Sequence, residues 1–153
     1  MKTDLYDSRR DTIKHKLRVY QLLYAVAEEI KHRARIHDKS KLEIPEKDLF
    51  DKYTPLLAKC TYGSEQYDEY LKGLKDALDH HYLLNRHHPE FFENGINGMT
   101  LIDLIEMIFD WKAASERHND GNIYKSIEYN KKRFGISDQL IQIFINIAKE
   151  LNL

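Results

Sequence analysis

From Ser8 to Leu42 the chain contains neither glycine nor proline, the two residues that most readily interrupt a helix. Apolar residues recur through this stretch at intervals of three and four positions: Ile13, Leu17, Tyr20, Tyr24 and Ala27. This spacing places their side chains along one side of an α-helix. The stretch therefore predicts one long helix, or two helices separated by a break that leaves no mark in the sequence.

The remainder of the chain also favours helices. The 153 residues include only six glycines and three prolines, and no long alternating β-branched run indicates a strand. Caps, prolines and apolar spacing predict helices over Lys47–Leu57, from Glu65 to about Arg86 with Ser64 as its cap, from Thr100 to about His118, and after Asn122 and Ser137, with a loop over Pro89–Met99. We expect an all-α helical bundle that forms a single domain over residues 1–153.

Charge, cysteine content and hydropathy exclude several classes of protein. The chain carries 24 Lys and Arg against 25 Asp and Glu, for a formal net charge of −1. Generic nucleic-acid binding is not expected, because a protein that binds the phosphate backbone needs an excess of basic over acidic residues. Cys60 is the single cysteine and cannot form an internal disulfide. The polar amino-terminal residues contain no apolar core of signal-peptide length, and no segment approaches the ~20 apolar residues of a membrane span. We expect a cytoplasmic protein that does not bind membranes.

Four of the eight histidines lie in one segment, HHYLLNRHHPE at residues 80–90. On a regular helix His81, Asn85 and His88 share the apolar side, whereas His80 and His87 point away. Imidazoles one and two turns apart can converge on one metal ion. The alternative is a pair of hydrogen-bonded core histidines with two exposed ones.

A second candidate cluster is the pair His37-Asp38 within RIHDKSKL. Both side chains can ligate one cation if the backbone turns at this point. Lys39 and Lys41 follow closely and could hold an anionic substrate. The alternative is a chance His-Asp pair.

The third cluster is acidic and lies in LIDLIEMIFDWKAASER. Asp103, Glu106 and Asp110 share one face of a helix whose other faces are apolar, which indicates that the helix is buried. Buried carboxylates need a cation, from a metal or a basic side chain. The alternative is that Asp103 caps the helix with Thr100 and Glu106 pairs with an arginine such as Arg117. Asp110 remains the best candidate for a metal ligand.

The candidate residues follow the order His, His-Asp, His, Asp at positions 15, 37–38, 81 or 88, and 110. This order, with HKLRV at residues 15–19 and HDKSK at 37–41, resembles the HD-domain metal-dependent phosphohydrolases. Over most of its length the chain more closely resembles an uncharacterised family of small phage and bacterial all-α proteins. The shared motifs are HDKSKL, HHYLLNRHHPE, GINGM and EMIFDWKAA. That family has no assigned activity.

The resemblance to HD-domain enzymes implies an HD-like fold and a metal-dependent phosphohydrolase that acts on a small phosphorylated molecule such as a nucleotide. The implied cofactor is a divalent ion: Mn, Co, Mg, Fe or Zn. This hypothesis assigns metal binding to His15, His37, Asp38, His81 and Asp110, catalysis to His88, Glu106 and Lys41, and substrate binding to Lys41, Asn85 and Arg86. His81 and His88 either complete a second metal position or donate to the phosphate, while Asp103 and Glu106 orient the histidines.

His15 can bind the same metal ion as His37 only if the chain turns between Ala25 and Glu29. On one unbroken helix the 22 positions from His15 to His37 span about 33 Å, so the two residues could not share an ion. Without the turn, the site forms from the remaining residues.

Two other classes of function remain open. The first is a non-catalytic accessory or binding protein of phage or bacteria that keeps a structural metal or a polar core. The second is a ferritin-like di-iron protein, but that architecture uses two Glu-x-x-His motifs and only Glu29 and His32 supply one.

Overall fold

The computed structural model describes residues 6–60, 65–116 and 121–153, except for the side chain of Tyr67, and these residues form helices with no strand. The α-helices are α1 Arg9–Ile36, α2 Glu46–Leu57, α3 Glu65–Gly73, α4 Lys75–Leu84, α5 Leu101–Ser115, α6 Ile123–Phe134 and α7 Asp138–Glu150. Short 3-10 helices cover Lys39–Leu42, Pro89–Phe91 and Gly95–Gly98. The prediction of an all-α fold is confirmed. The chain divides into two units between Arg35 and Ile36, and the expectation of one domain over residues 1–153 stays a prediction.

Helix α1 is a single helix of 28 residues, which is the first of the two predicted alternatives. It contains no turn between Ala25 and Glu29, and none of residues 9–36 is buried. It ends at Ile36 instead of Leu42, and residues 39–42 form a 3-10 helix instead. No helix of the described residues has the length and hydropathy needed to cross a lipid bilayer.

In the second unit, α5, α6 and α7 pack around one apolar core. Its buried members are Met107, Ile108, Ile123, Ile127, Ile136, Ile141, Phe144 and Ala148. The helices begin where their sequence signals predict: Thr100 and Asp103 form a capping box, and Asn122 and Ser137 each accept a hydrogen bond from the following turn. Trp111 packs edge-on against Phe144 across this core. This packing fixes α5, which carries the acidic residues.

The helix expected from Glu65 to Arg86 is instead two helices, α3 and α4, which meet at Leu74. The ring of Tyr53 packs so closely on Gly73 that a Cβ built there would lie 2.3 Å from it. The break therefore falls at a glycine, a residue of low helix propensity, and the ring of Tyr53 packs against its open side. Helix α4 ends at Leu84, two residues before the predicted end. The predicted cap Ser64 and the predicted helix end His118 lie outside the described residues.

Candidate metal centre

Three segments of the second unit meet at a cluster of histidines and carboxylates. The residues after α1 contribute His37 and Asp38, the end of α4 and the turn after it contribute His81, His87 and His88, and α5 contributes Glu106 and Asp110. Asp38 has a left-handed backbone (φ 56°), a conformation that Asp and Asn tolerate better than most residues. This reversal of the chain turns the His-Asp pair toward α4 and α5.

The ligand atoms converge on one carboxylate oxygen. Asp38 Oδ1 lies 3.2 Å from Nε2 of His81, 3.4 Å from Nε2 of His87 and 3.7 Å from Nε2 of His37. Ligands about 2.0–2.2 Å from one ion lie roughly 3.0–3.5 Å from their neighbours, so this spacing suits a coordination shell.

Two overlapping groups of potential ligands result. Asp38, His81, His87 and His88 place one ligand atom each within 4.8 Å of one another, and so do His37, His87 and Asp110. His87 belongs to both groups. In the first group the Nε2 atoms of His81 and His88 lie 3.0 Å apart. In the second group His37 Nε2 lies 3.6 Å from Asp110 Oδ1.

Two glutamates hold the outer nitrogens of three of these histidines. His81 Nδ1 lies 2.9 Å from Glu46 Oε2, whereas His37 Nδ1 and His87 Nδ1 lie 2.9 Å and 3.2 Å from Glu106 Oε1. Each carboxylate can only accept, so each Nδ1–H donates and Nε2 is the nitrogen that faces inward. Carboxylates behind metal-binding histidines characteristically fix the ring and its tautomer in this way.

A further chain of hydrogen bonds orients Glu46, which is fully buried. Asn85 Nδ2 donates to Ser40 Oγ at 2.8 Å, and Ser40 Oγ donates to Glu46 Oε2 at 3.0 Å. His80 Nδ1 lies 2.8 Å from the other Glu46 oxygen. These contacts explain how a glutamate can lie beneath the histidines without access to water.

Among the described residues, two buried polar side-chain atoms have no hydrogen-bond partner: Asp38 Oδ1 and His87 Nε2. They face each other at the centre of the cluster. A buried polar atom without a partner costs about 1–3 kcal/mol, so two in one place need an explanation. A bound cation satisfies both atoms at once, and the residues present therefore fit a metal ion.

The charges at this cluster are strongly coupled. Asp110 and Glu106 raise the pKa of His37 to about 10 against the effect of burial. Burial alone would raise the pKa of Asp110, but His37 and His87 outweigh it and lower that pKa. His37 is therefore protonated, and its positive charge balances the carboxylates of Asp110 and Glu106. A bound metal ion would supply the same positive charge.

The other groups show the same competition between burial and charge. Burial opposes the ionised form of Asp38, yet the imidazoles of His81 and His87 and the Lys41 ammonium hold its pKa well below the usual range. Burial alone would lower the pKa of His87, but Asp38 and Glu106 raise it. Burial, together with His87 and His81, lowers the pKa of His88 to about 3. His88 is therefore neutral at physiological pH.

The comparison with protein families identifies the chain. A family model described as "Family of unknown function (DUF5662)" matches residues 4–150. The chain belongs to the DUF5662 family. No curated protein and no solved structure matches this DUF5662 chain. The prediction of a family without assigned activity is confirmed, whereas the relationship to HD-domain enzymes stays a proposal.

In this DUF5662 protein four of the five predicted metal ligands lie in the cluster: His37, Asp38, His81 and Asp110. His15 belongs to neither ligand group and is exposed on α1. The turn on which its inclusion depended is absent, because α1 is unbroken. His15 is therefore not a ligand of the candidate metal site.

The remaining predicted site residues have defined neighbours. His88 and Glu106 contact the ligand histidines, as described above, and Lys41 Nζ donates to Asp38 Oδ2 at 2.6 Å. Arg86 donates two hydrogen bonds to Asp103, at 3.0 Å and 3.1 Å, and lies over the rings of Phe91 and Phe92. Asp103 also closes the capping box of α5 with Thr100. The alternative partner of Glu106, Arg117, lies outside the described residues.

Two residues of the cluster were missed. His87 was expected to point away, but it is 2% exposed and central, because α4 ends at Leu84 and the helical angle does not apply beyond it. Pro89 was the available signal, since a proline forces the preceding residue out of the helical conformation, and His88 is indeed extended. Glu46 carries no sequence signal: it is the first residue of α2 and is buried by tertiary packing.

Proposed function

We propose that this DUF5662 protein is a metal-dependent phosphohydrolase, HD-like in its fold, that acts on a small phosphorylated molecule such as a nucleotide. The observation that carries the metal is the pair of buried, unpartnered atoms Asp38 Oδ1 and His87 Nε2 among imidazoles held by Glu46 and Glu106. The order of His37-Asp38 and Asp110 along the chain supports the link to phosphohydrolases.

The proposed ligands are His37, Asp38, His81, His87 and Asp110. Imidazole nitrogens suit transition metals such as Fe and Zn, whereas Mg prefers oxygen ligands and retains water. We therefore expect a transition-metal ion from the range Mn, Co, Fe and Zn to bind more tightly than Mg. When bound, a divalent ion supplies a Lewis acid that polarises a phosphoryl oxygen and lowers the pKa of water.

The protein's own side chains supply the rest of the chemistry. Glu46 and Glu106 fix the histidine rings before substrate arrives, which preserves the geometry that catalysis requires. Lys41 lies at the edge of the cluster, 31% exposed, and its ammonium offsets the charge of an incoming phosphate. His88 Nε2 lies 3.0 Å from His81 Nε2, and a pKa near 3 keeps this imidazole neutral, so it can accept a hydrogen bond or bind a metal ion but is a weak base.

The proposal is tested by loading the purified protein separately with Mn²⁺, Co²⁺, Fe²⁺, Zn²⁺ and Mg²⁺, measuring bound metal, and assaying phosphate release from a nucleotide panel. Asp38→Asn is expected to lose its bound metal, and its turnover is expected to fall at least 100-fold. The matched control is Asp48→Asn, the same change at an exposed position of α2, which should leave both unchanged. Turnover that survives in Asp38→Asn would refute the proposed chemistry.

A second candidate function is a non-catalytic protein with a structural metal ion. Its supporting observation is that Glu46, His81 and His87 are almost completely buried, as expected for a centre that holds three segments together. Metal that raises the unfolding temperature, with no phosphate released from any substrate of the panel, would favour this candidate.

A further inference from the structure

The turn that carries His87 and His88 lies between a helix that has ended and a short 3-10 helix. Helix α4 ends at Leu84, and the backbone is extended at Asn85 (φ −112°) and again at His88 (φ −100°). One backbone hydrogen bond, from His88 N to Asn85 O at 3.1 Å, closes the turn. The regular hydrogen bonds of an α-helix therefore do not fix these two imidazoles, so their positions depend on side-chain contacts.

Arg86, the residue before His87, fastens the start of the turn to α5. Its guanidinium donates to both carboxylate oxygens of Asp103, at 3.1 Å and 3.0 Å, and Asp103 is 1% exposed. Asp103 lies about one helical turn before Glu106, whose Oε1 lies 3.2 Å from Nδ1 of His87. One face of α5 therefore holds both the ring of His87 and, through Arg86, the backbone next to it.

Arg133 of α6 fastens the other end of the turn. Its Nη2 donates to Glu90 Oε1 at 2.8 Å and to the hydroxyl of Tyr82 at 3.5 Å. Glu90 follows His88 by two residues, and the ring of Tyr82 packs against the ring of His88 with centroids 4.8 Å apart. Helix α6 is itself fixed by the apolar core that it shares with α5 and α7. Arg133 thus connects that core to the residues on both sides of His88.

We propose that Arg86 and Arg133 are positioning residues, which hold the turn so that His87 and His88 face the metal ion. The inference rests on the metal centre of the proposed function. A turn that also samples other conformations binds an ion more weakly, in proportion to the fraction of time that it spends in the competent one. An arginine–carboxylate pair at each end of a short turn limits this sampling, because each pair fixes both distance and orientation. In this role Arg86 acts through His87 and does not itself touch substrate.

The proposal is tested on the full chain by titration with Co²⁺ in competition with a chelator, under conditions in which circular dichroism shows every variant to be folded. Arg133→Met keeps the aliphatic stem and removes the charge. Its pair with Glu90 is partly exposed, so the fold should persist. We expect its Co²⁺ affinity to fall about tenfold, the lower end of the range for residues that orient metal ligands. Unchanged affinity would overturn the role of Arg133.

The matched control for Arg133→Met is Lys132→Met. It removes the same charge from the next residue, whose ammonium lies 3.6 Å from Glu128 of the same helix. Its Co²⁺ affinity should equal that of wild type. An equal loss in both variants would show that the charge of α6 matters and not the contact with the turn, and would overturn the proposal.

A double-mutant cycle shows whether Arg133 acts through Glu90. Glu90→Gln is expected to weaken Co²⁺ binding about as much as Arg133→Met does. The double variant should bind no more weakly than either single variant, because both changes break the same pair. Arg133→Lys should recover most of the affinity, since an ammonium can still pair with Glu90. Additive losses, or no recovery with lysine, would overturn the proposed contact.

Arg86→Lys tests the start of the turn. Lysine keeps a positive charge beside the buried Asp103, so the fold should persist, but an ammonium cannot match both carboxylate oxygens in one plane. We expect its Co²⁺ affinity to fall about tenfold as well. Wild-type affinity in Arg86→Lys would overturn the positioning role of Arg86 and leave the metal centre standing. No binding of Co²⁺ by the wild-type protein would instead overturn the metal centre, and this inference with it.

Discussion

Glu106 is the residue on which two imidazoles depend, because one of its oxygens lies within 3.2 Å of Nδ1 in both His37 and His87. Its negative charge increases the basicity of both rings. Loss of that charge should therefore weaken metal binding by both His37 and His87, even though Glu106 is not itself a proposed ligand.

We predict that Glu106→Gln lowers metal affinity about 10- to 100-fold, the range found when a carboxylate behind a metal-binding histidine is removed. The amide can still accept a hydrogen bond, so the fold should persist. Competition with a chromophoric chelator measures the affinity, and Glu116→Gln, at an exposed position after α5, is the control. Unchanged affinity in Glu106→Gln would show that Glu106 does not act through the histidines.

A different role follows for Arg86, which was predicted to bind substrate. Asp103 is 1% exposed, so Arg86→Ala removes the partner of a buried carboxylate. Because Arg86 is 39% exposed and the pair is partly screened, we expect a loss of about 1–3 kcal/mol in the free energy of unfolding. Urea denaturation measures this loss, with Lys72→Ala as an exposed control. A raised KM with unchanged stability would instead support the substrate-binding role.

At the scale of elements, the sequence predicted those features that local chemistry determines. The capping residues Thr100, Asn122 and Ser137 mark the starts of α5, α6 and α7 correctly, because a cap involves only neighbouring residues. The break between α3 and α4 was missed, although Gly73, a residue of low helix propensity, ends α3 at that point. At the candidate metal centre, helical spacing predicted that Asp110 lies on the face of α5 that carries Glu106, whereas the burial of Glu46 depends on tertiary packing.

The cap of α5 permits a direct measurement. Thr100 Oγ1 accepts a hydrogen bond from the backbone of Asp103, and Thr100→Ala removes it, at an expected cost of about 1 kcal/mol in the free energy of unfolding. Thr100→Ser keeps the oxygen and should remain close to wild type. Thermal unfolding of the two variants side by side tests the prediction, and equal losses in both would show that the hydroxyl is not the stabilising group.

At the scale of the whole molecule, metal binding should stabilise the fold of the second unit. The proposed ligands come from positions 37–38, 81, 87 and 110, so one site joins segments far apart along the chain. An ion at 100 times its dissociation constant adds about 2.7 kcal/mol to the free energy of unfolding. We expect a chelator to lower the unfolding temperature of wild type and of Asp48→Asn, but not that of Asp38→Asn. Equal shifts in all three proteins would place the stabilising ion elsewhere.

The left-handed backbone of Asp38 provides a means of sorting relatives. At φ 56° the chain accepts glycine, asparagine or aspartate with little strain, but only aspartate adds a negative charge to the cluster. Members of DUF5662 with asparagine or glycine at this position would keep the turn and lose the ligand. We therefore expect the residue that aligns with position 38 to separate metal-binding members of the family from members that fold without an ion.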